Sequence, residues 1–269
     1  MDILDEIVIG KRLEVARLKE AVPLESLLGF GERRFGSATC SMRRALEASQ
    51  SGIIAEFKRR SPAKGWLAPE AKVCDVVPAY ERGGASACSI LTDTDFFGGS
   101  YDDLRNARNE VSLPLLRKDF IIDAYQLYQA RIMGADAVLL IAAILTRAEC
   151  EDFAAIAHQL GMEVLLEVHS EKELSYLNEN VDMLGVNNRH LGTFHTDVDN
   201  SFRMIERMKS EAGSLTNAPL FVSESGISDT SLIKKLREVG FRGFLIGETF
   251  MKTADPGAAL TTFINELNG

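Results

Sequence analysis

The feature that most constrains the fold of this chain is a regular alternation that begins at residue 53. Short, nearly continuous apolar runs alternate with segments whose apolar residues recur at helical spacing. A strand buried on both faces is apolar throughout, so these runs predict a parallel sheet covered by helices. We predict eight strands, at residues 53–57, 87–91, 113–116, 137–141, 163–168, 183–186, 220–223 and 243–246.

The intervening helices are clearest at residues 123–133, 147–160 and 231–239, and a last helix is predicted from about 256 to 267. Asp255 suits its N-cap and Pro256 its first position. Eight such units fit a closed barrel better than an open doubly wound sheet, whose nucleotide motifs G-x-G-x-x-G and G-x-x-x-x-G-K-[ST] do not occur. The 269 residues also match the usual size of such a barrel, about 250 residues. We predict an α/β protein, a (β/α)8 TIM barrel in one domain over residues 1–269.

The first 50 residues form a helical extension that precedes strand one. Apolar residues at Ile7, Leu13, Val15 and Leu18 predict an amphipathic helix over residues 3–20, and two shorter helices are predicted at 23–28 and 41–46. Such an extension either closes one end of the barrel or covers the active site, and the sequence leaves both interpretations open.

Composition excludes several classes of protein. The net charge of -9, with no basic stripe, argues against nucleic-acid binding. The four cysteines form no CxxC pair and are interpreted as reduced core thiols, and the histidines lack metal-ligand spacing, so neither a metal nor a cofactor is predicted. The acidic N-terminus is unlike a signal peptide, and the longest apolar run, at 137–145, is too short to span a bilayer. We therefore expect a cytoplasmic protein with no membrane partner.

The predicted strands end in polar residues, and this is where the sequence first indicates function. Glu56 and Lys58 lie two residues apart at the end of strand one, so both side chains point to the same face. Taken alone, such a pair is more often a structural ion pair. However, barrel active sites lie at the carboxyl ends of the strands. Five further ends are polar: LRKDF (116–120), LEVH (166–169), VNNR (186–189), SESG (223–226) and IGET (246–249). So many charges at one mouth would be costly to desolvate without a purpose.

Two glycines after strands seven and eight indicate a phosphate site. Loops at these positions form the usual phosphate cradle of a TIM barrel, through backbone N–H donors. Ser225, Gly226, Gly247 and Glu248 are the residues concerned. The glycines could instead be plain turn residues. A carboxylate at Glu248 would repel a phosphate, so its side chain must point away if the cradle is used.

Six motifs together resemble the indole-3-glycerol phosphate synthase family. They are EFKRRSP (56–62), LRKDF (116–120), GADAVLLI (134–141), LEV (166–168), GVNNR (185–189) and SESGI (223–227). Each is moderately specific, and all six in order are strongly so. The resemblance runs from about Leu4 to the C-terminus and implies the monofunctional enzyme, which makes indole-3-glycerol phosphate in tryptophan biosynthesis without metal or redox cofactor. The frequent serine of the family after the strand-eight glycine is Glu248 here.

The resemblance also implies roles for individual residues. Lys118 would be the general acid at the substrate ketone, with its pKa lowered toward neutrality by neighbouring cations. Glu167 would be the acid/base partner in the later dehydration. Glu56 and Asn187 would position or deprotonate the substrate, and Lys58 would face one of its anionic groups. The implied binding residues are Ser61 and Arg189 beside that group, Phe97, Phe120 and Leu139 around the aromatic ring, and Ser225, Gly226, Gly247 and Glu248 at the phosphate.

Two other classes of protein remain open at this point. Another phosphate-binding barrel enzyme, such as a sugar-phosphate isomerase or epimerase, would share the two glycines. It would not need Lys58, Lys118 and Glu167 beside an apolar ring pocket. A barrel without activity would bind ligand only, although unused buried charges would destabilise it. For the partners we expect a phosphorylated small molecule, and for the assembly a monomer or weak homodimer.

Overall fold

A computed structural model describes residues 3–35, 37–190 and 195–269, without the side chains of residues 32–34. Eight parallel strands close into a barrel in chain order, so that the first strand pairs with both the second and the eighth. Their bounds are Ile53–Phe57 (β1), Ala87–Leu91 (β2), Leu115–Lys118 (β3), Ala137–Ile141 (β4), Glu163–Val168 (β5), Met183–Asn187 (β6), Leu220–Glu224 (β7) and Gly243–Ile246 (β8). The predicted TIM barrel is confirmed.

Helices connect these strands on the outside of the barrel. After the extension they are Val73–Arg82, Tyr101–Glu110, Ala124–Met133, Arg147–Gln159, Asp199–Ala212, Thr230–Val239, Glu248–Met251 and Pro256–Asn268. Asp255 caps the last helix through the amide of Ala258 and Pro256 lies in its first turn, as predicted. Between β5 and β6 a 3-10 helix, Glu171–Tyr176, takes the place of an α-helix.

The third strand begins two residues later than predicted. Pro114 has no N–H for the ladder, so pairing begins at Leu115, whose neighbour in β2 is Cys88. Pro114 still contributes its carbonyl oxygen, which accepts a hydrogen bond from the Cys88 amide at 3.0 Å. The shift carries the strand two residues further, so that Lys118 is its last residue.

The helical extension contacts both ends of the barrel. Its first helix, Ile3–Ala21 (α1), lies at the mouth, where Ile3, Leu4 and Ile7 line the central cavity. Its other helices are Leu24–Phe35 (α2) and Met42–Ala48 (α3). In α3, Met42 and Leu46 pack into the barrel's inner apolar cluster at the opposite end. The interpretation that the extension covers the mouth therefore holds for α1, and the end-closing interpretation holds for α3.

The apolar face predicted for α1 is partly wrong. The buried residues are Ile7, Lys11 and Val15, spaced four residues apart, whereas Leu13 is 57% exposed. Leu13 is two residues from both Lys11 and Val15, which places it on the opposite side of the helix. The buried stripe thus contains a lysine that hydrophobic patterning passes over. Its ammonium lies 3.0 Å from both Asp93 and Asp119, carboxylates in the segments after β2 and β3.

The cysteine prediction holds for two residues of four. Cys88 and Cys150 are buried thiols, but Cys40 and Cys74 are exposed, the first in the segment before α3 and the second in a helix's first turn. None of these four is in a disulfide. In the part of the chain that the structure describes, no helix has the length and apolarity needed to cross a membrane. The one-domain division and the cytoplasmic location stay predictions.

Candidate active site

A cavity of about 340 Å³ opens at the carboxyl ends of the strands. It brings together residues that are up to about two hundred positions apart in the sequence. Thirteen of the fourteen residues indicated by the sequence line it: Glu56, Lys58, Phe97, Lys118, Phe120, Leu139, Glu167, Asn187, Arg189, Ser225, Gly226, Gly247 and Glu248. The exception is Ser61, which is fully buried behind the wall. Its hydroxyl accepts a hydrogen bond from the amide of Lys64, in a short hairpin formed by Arg60–Ser61 and Gly65–Trp66.

Lys118 lies among carboxylates in this cavity. Its ammonium is 2.8 Å from Glu167 Oε2 and 3.2 Å from Glu224 Oε2. Burial acts to lower the pKa of Lys118, but Glu167, Glu224 and Glu56 outweigh burial and raise the pKa above its ordinary value. The expectation of a lowered pKa is therefore wrong, because the nearest charges are negative rather than positive. At neutral pH the ammonium is protonated.

Glu224 is the acidic residue that the sequence interpretation missed. It is the last residue of β7, 1% exposed, with one carboxylate oxygen on Lys118 and the other without a hydrogen-bond partner. Gly185 in β6 leaves room for it, since a Cβ there would overlap the Glu224 carboxylate. The sequence signal for Glu224 is the polar end of strand seven, SESG (223–226), from which only Ser225 and Gly226 are predicted as site residues.

The two carboxyl groups beside Lys118, those of Glu167 and Glu224, have pKa values shifted in opposite directions. Burial acts to raise the pKa of Glu167, but Lys118 and His169 outweigh it and hold that pKa low. Burial, together with the negative charge of Glu167, raises the pKa of Glu224 even though Lys118 opposes the change. Two neighbouring carboxyl groups with such different acidity can serve as base and acid in one reaction.

Glu56 and Lys58 form a buried pair at the end of β1. Their side chains point to the same face, and Lys58 Nζ lies 2.5 Å from Glu56 Oε1. A Cβ at Gly247 would overlap the Glu56 carboxylate, so this glycine makes room for a neighbouring side chain. On the next wall, Asn187 ends β6 and its side-chain oxygen accepts a hydrogen bond from the amide of Arg189 at 3.0 Å.

One side of the cavity is apolar. The rings of Phe97 and Phe120 lie 6.1 Å apart and are tilted by 40°. Leu139 and Ile141 continue this wall from β4, and Ile3, Leu4 and Ile7 of α1 face it. Such a slot fits a flat aromatic ring.

The opposite side of the cavity is lined by a backbone turn and by basic side chains. Ser225 and Gly226 both have positive φ, 67° and 80°, and among the described residues Ser225 is the one non-glycine with this conformation. A side chain in this region is strained, which is a feature of ligand-binding turns. Arg189 Nη2 lies 3.3 Å from Glu248 Oε2, so the Glu248 side chain points toward the segment that follows β6. Lys64 and Lys252, which the sequence interpretation did not single out, also line the cavity.

No group of three or more metal-ligating side chains occurs within residues 3–35, 37–190 and 195–269. The groups that the cavity does offer are a protonated lysine, two carboxyl groups of different acidity, an apolar slot and a cationic side.

Comparison with known proteins shows the family of this chain. A family profile described as indole-3-glycerol phosphate synthase matches residues 4–263. A protein of that name from Bacteroides thetaiotaomicron is 57% identical over 267 residues, covering 99% of both chains. Another from Neisseria gonorrhoeae is 43% identical, covering 96% of this chain and 97% of its own. A solved tryptophan synthase alpha-subunit from Pyrococcus furiosus, 14% identical, shares the fold with a TM-score of 0.62, covering 82% of this chain and 99% of its own. This chain belongs to the indole-3-glycerol phosphate synthase family.

Proposed function

We propose that individual residues of the cavity carry out separate steps of the reaction of this family. The protein is a carboxy-lyase of tryptophan biosynthesis and acts on a phosphorylated small molecule. The substrate is 1-(2-carboxyphenylamino)-1-deoxyribulose 5-phosphate, which closes to indole-3-glycerol phosphate with loss of CO₂ and water. Its aromatic ring requires an apolar slot, its ketone an acid and its phosphate an anion site. These three must follow one another along the cavity.

The observation that carries the assignment is Lys118 between two carboxylates and beside the apolar slot. Nζ lies 2.8 Å from Glu167, and Phe120 follows two residues along the chain. When the aromatic ring of the substrate packs against Phe97 and Phe120, the substrate ketone lies near the Lys118 ammonium. As the ring carbon attacks, the ketone oxygen becomes an alkoxide, which is basic enough to take a proton from a lysine of raised pKa. Lys118 is thus the proposed general acid.

The later steps need one group that accepts a proton and one that donates. Glu167, whose pKa is held low, is the proposed base that takes the methylene proton. Glu224, whose pKa is raised, is the proposed donor to the departing hydroxyl. Because the two groups titrate together, the roles describe the pair and its shared protons. Glu56 and Asn187 are proposed to orient the substrate amine and hydroxyls.

The phosphate is proposed to lie at the side formed by Ser225, Gly226 and Gly247, where backbone N–H groups can donate. Lys58 is the proposed nearby cation, and Arg189 supports it through a planar fork suited to an anion. Attraction over long distances cannot guide this substrate, because the protein carries a net charge of -9. Capture therefore depends on these close donors.

Two variants separate the cation from the backbone donors. We expect Lys58→Met to raise KM about tenfold or more, since a charge-assisted hydrogen bond contributes roughly 1.5–3 kcal/mol. The variant also leaves the Glu56 carboxylate unpaired beside the substrate. We expect Glu248→Ser to leave KM unchanged or slightly lower, because it removes a negative charge and releases Arg189. Steady-state kinetics measure both, with Glu248→Gln as the control of similar size. A rise in KM in Glu248→Ser as large as that in Lys58→Met would mean that the phosphate binds elsewhere.

Mixing the purified protein with the carboxyphenylamino substrate and following indole fluorescence tests the function directly. Appearance of the indole product at a catalytic rate is the expected result. Binding without turnover would favour an inactive barrel, and turnover of simple sugar phosphates alone would favour an isomerase or epimerase. A cytoplasmic location and a monomeric or weakly dimeric state are also part of the proposal.

A further inference from the structure

The proton balance of this reaction, which rests on the proposed function, demands a route from solvent. The ring carbon that carries the carboxylate bonds to the ketone carbon, and the ketone oxygen takes a first proton. The carboxylate leaves as CO₂, and the electron pair of the broken carbon–carbon bond returns to the ring. The hydroxyl then leaves as water with a second proton, while the methylene beside nitrogen gives one proton back. One proton per turnover must therefore enter from outside.

That proton has to reach an active site closed on several sides. A substrate bound in the cavity would block its mouth, and Ile3, Leu4 and Ile7 of α1 cover the apolar part. Lys118 contacts Glu167, whose side chain is only 2% exposed. A route to Glu167 that does not pass through the substrate would have to come from behind β5.

We propose that His169, with Glu173, relays protons from solvent to Glu167. His169 Nε2 lies 3.3 Å from Glu167 Oε1, and His169 Nδ1 lies 3.6 Å from Glu173 Oε2. The three side chains are 2%, 13% and 21% exposed, rising from Glu167 through His169 to Glu173. They form a line from the buried carboxylate to the surface, with the imidazole between two carboxylates.

The imidazole is held in a way that suits transfer. Neither ring nitrogen makes a well-directed hydrogen bond, although both are buried. The backbone is fixed instead: the His169 amide donates to Glu173 Oε2 at 2.6 Å, and its carbonyl oxygen accepts from Asn200 Nδ2 at 3.2 Å. The backbone of His169 is therefore fixed, and its largely buried ring has no tight hydrogen bond at either nitrogen. It can release a proton from Nε2 to Glu167 and take another at Nδ1 from the Glu173 side.

The surrounding charges favour an imidazole that readily carries a proton. Burial acts to lower the pKa of His169, but Glu173, Glu167 and Glu224 outweigh it and raise that pKa. Lys118 lies beyond Glu167 as the next acceptor in the chain. In one cycle Lys118 gives a proton to the ketone oxygen and Glu224 gives one to the departing hydroxyl, while Glu167 takes the methylene proton and passes it to Lys118. The proton that Glu224 has lost is then replaced from solvent through Glu173, His169 and Glu167, which is hydrogen-bonded to Glu224. His169 does not line the cavity, so it is a positioning and relay residue.

Chemical rescue distinguishes a relay from a structural role. We expect His169→Ala to lower kcat at least about tenfold with little change in KM, because without the imidazole proton delivery becomes the slow step of the cycle. Added imidazole, which can enter the space left by the ring, should restore kcat in proportion to its concentration. His169→Gln can still hydrogen-bond to Glu167 but cannot carry a proton, so it should be slow and insensitive to imidazole. If His169 only supported Glu167, the glutamine variant would recover the rate.

His158 provides a matched control. It also contacts a carboxylate, Asp182 at 2.8 Å, but does so at the opposite end of the barrel. His158→Gln should keep the wild-type kcat and show no response to imidazole. The relay is refuted if His169→Ala keeps the wild-type rate, or if its loss persists unchanged in imidazole while its melting temperature and substrate affinity are normal. Wild-type turnover in the same assay tests the proposed function separately, so the two failures are distinguishable.

Discussion

Lys118→Ala should lower kcat by about 10²–10⁴ and leave the folded structure intact, the usual range for loss of a general acid. Lys118 is the one cation that touches both Glu167 and Glu224 among the described residues. Without it the ketone oxygen has no acid, and the two carboxyl groups face each other. Single-turnover fluorescence measures the chemical step, and circular dichroism checks the fold. A variant that kept more than a third of the wild-type rate would exclude this role.

Lys64→Ala is the control for general loss of positive charge. Lys64 lines the same cavity but makes no contact with these two carboxyl groups among the ion pairs of the described residues. We expect it to change KM more than kcat. Equal losses of kcat in the two variants would mean that the cavity needs charge in general rather than an acid at one place.

In Lys118→Ala the stability should depend on pH differently from that of the wild type. A carboxyl group with a raised pKa contributes stability below that pKa, and the contribution is lost as pH rises through it. In the wild type this applies to Glu224, while Lys118 limits its effect. Without Lys118 the pKa of Glu167 should rise as well. The melting temperature of Lys118→Ala should therefore fall more steeply than that of the wild type between about pH 5 and pH 8. Parallel curves would contradict this expectation.

The strands could be predicted closely because each is buried on both faces and reads as an apolar run. Five of the eight bounds, including those of β1 and β5, are the predicted ones. The third strand differs because Pro114 is apolar enough to extend the run but cannot donate in the ladder. The 3-10 helix after β5 was missed because its segment, EKELSY (171–176), is too short and polar to show a helical period.

The chemistry of the site was harder to predict than its location. The polar strand ends predict where the cavity lies and which residues line it, because every parallel strand of a barrel ends at the same mouth. They could not give the sign of the electrostatic field at Lys118, which depends on how closely Glu167 and Glu224, 49 and 106 residues further along the chain, approach its ammonium. The sequence therefore predicted the residues that meet but not which of them lie nearest, and the expected pKa shift had the wrong direction. Lys11 was missed for a similar reason, since a lysine within a helix is expected to face solvent.

Lys11 should be among the most sensitive positions for stability. Its side chain is 1% exposed, and its ammonium contacts Glu14 at 2.7 Å and both Asp93 and Asp119 at 3.0 Å. Asp119 has a second cation, Arg117 at 2.8 Å, but Asp93 has no other cation within 4.0 Å among the described residues. Removing one member of a buried ion pair leaves a charge without compensation, which costs about 3–5 kcal/mol. We expect Lys11→Met to lower the free energy of unfolding by this amount, measured in urea.

Lys19→Met is the matched control, because it makes the same substitution on the same helix. Lys19 pairs with Asp123 at 2.5 Å, but both side chains are accessible, 44% and 31%. An exposed pair contributes about 0–1 kcal/mol, so this variant should be nearly as stable as the wild type. The two variants should also differ in kinetics. Loss of the Lys11 contacts releases α1, and with it Ile3, Leu4 and Ile7, from the cavity wall, which should raise KM for the aromatic substrate. If Lys11→Met matched Lys19→Met in both stability and KM, α1 would be held at the mouth by its apolar residues alone, and the buried lysine would have no part in docking it.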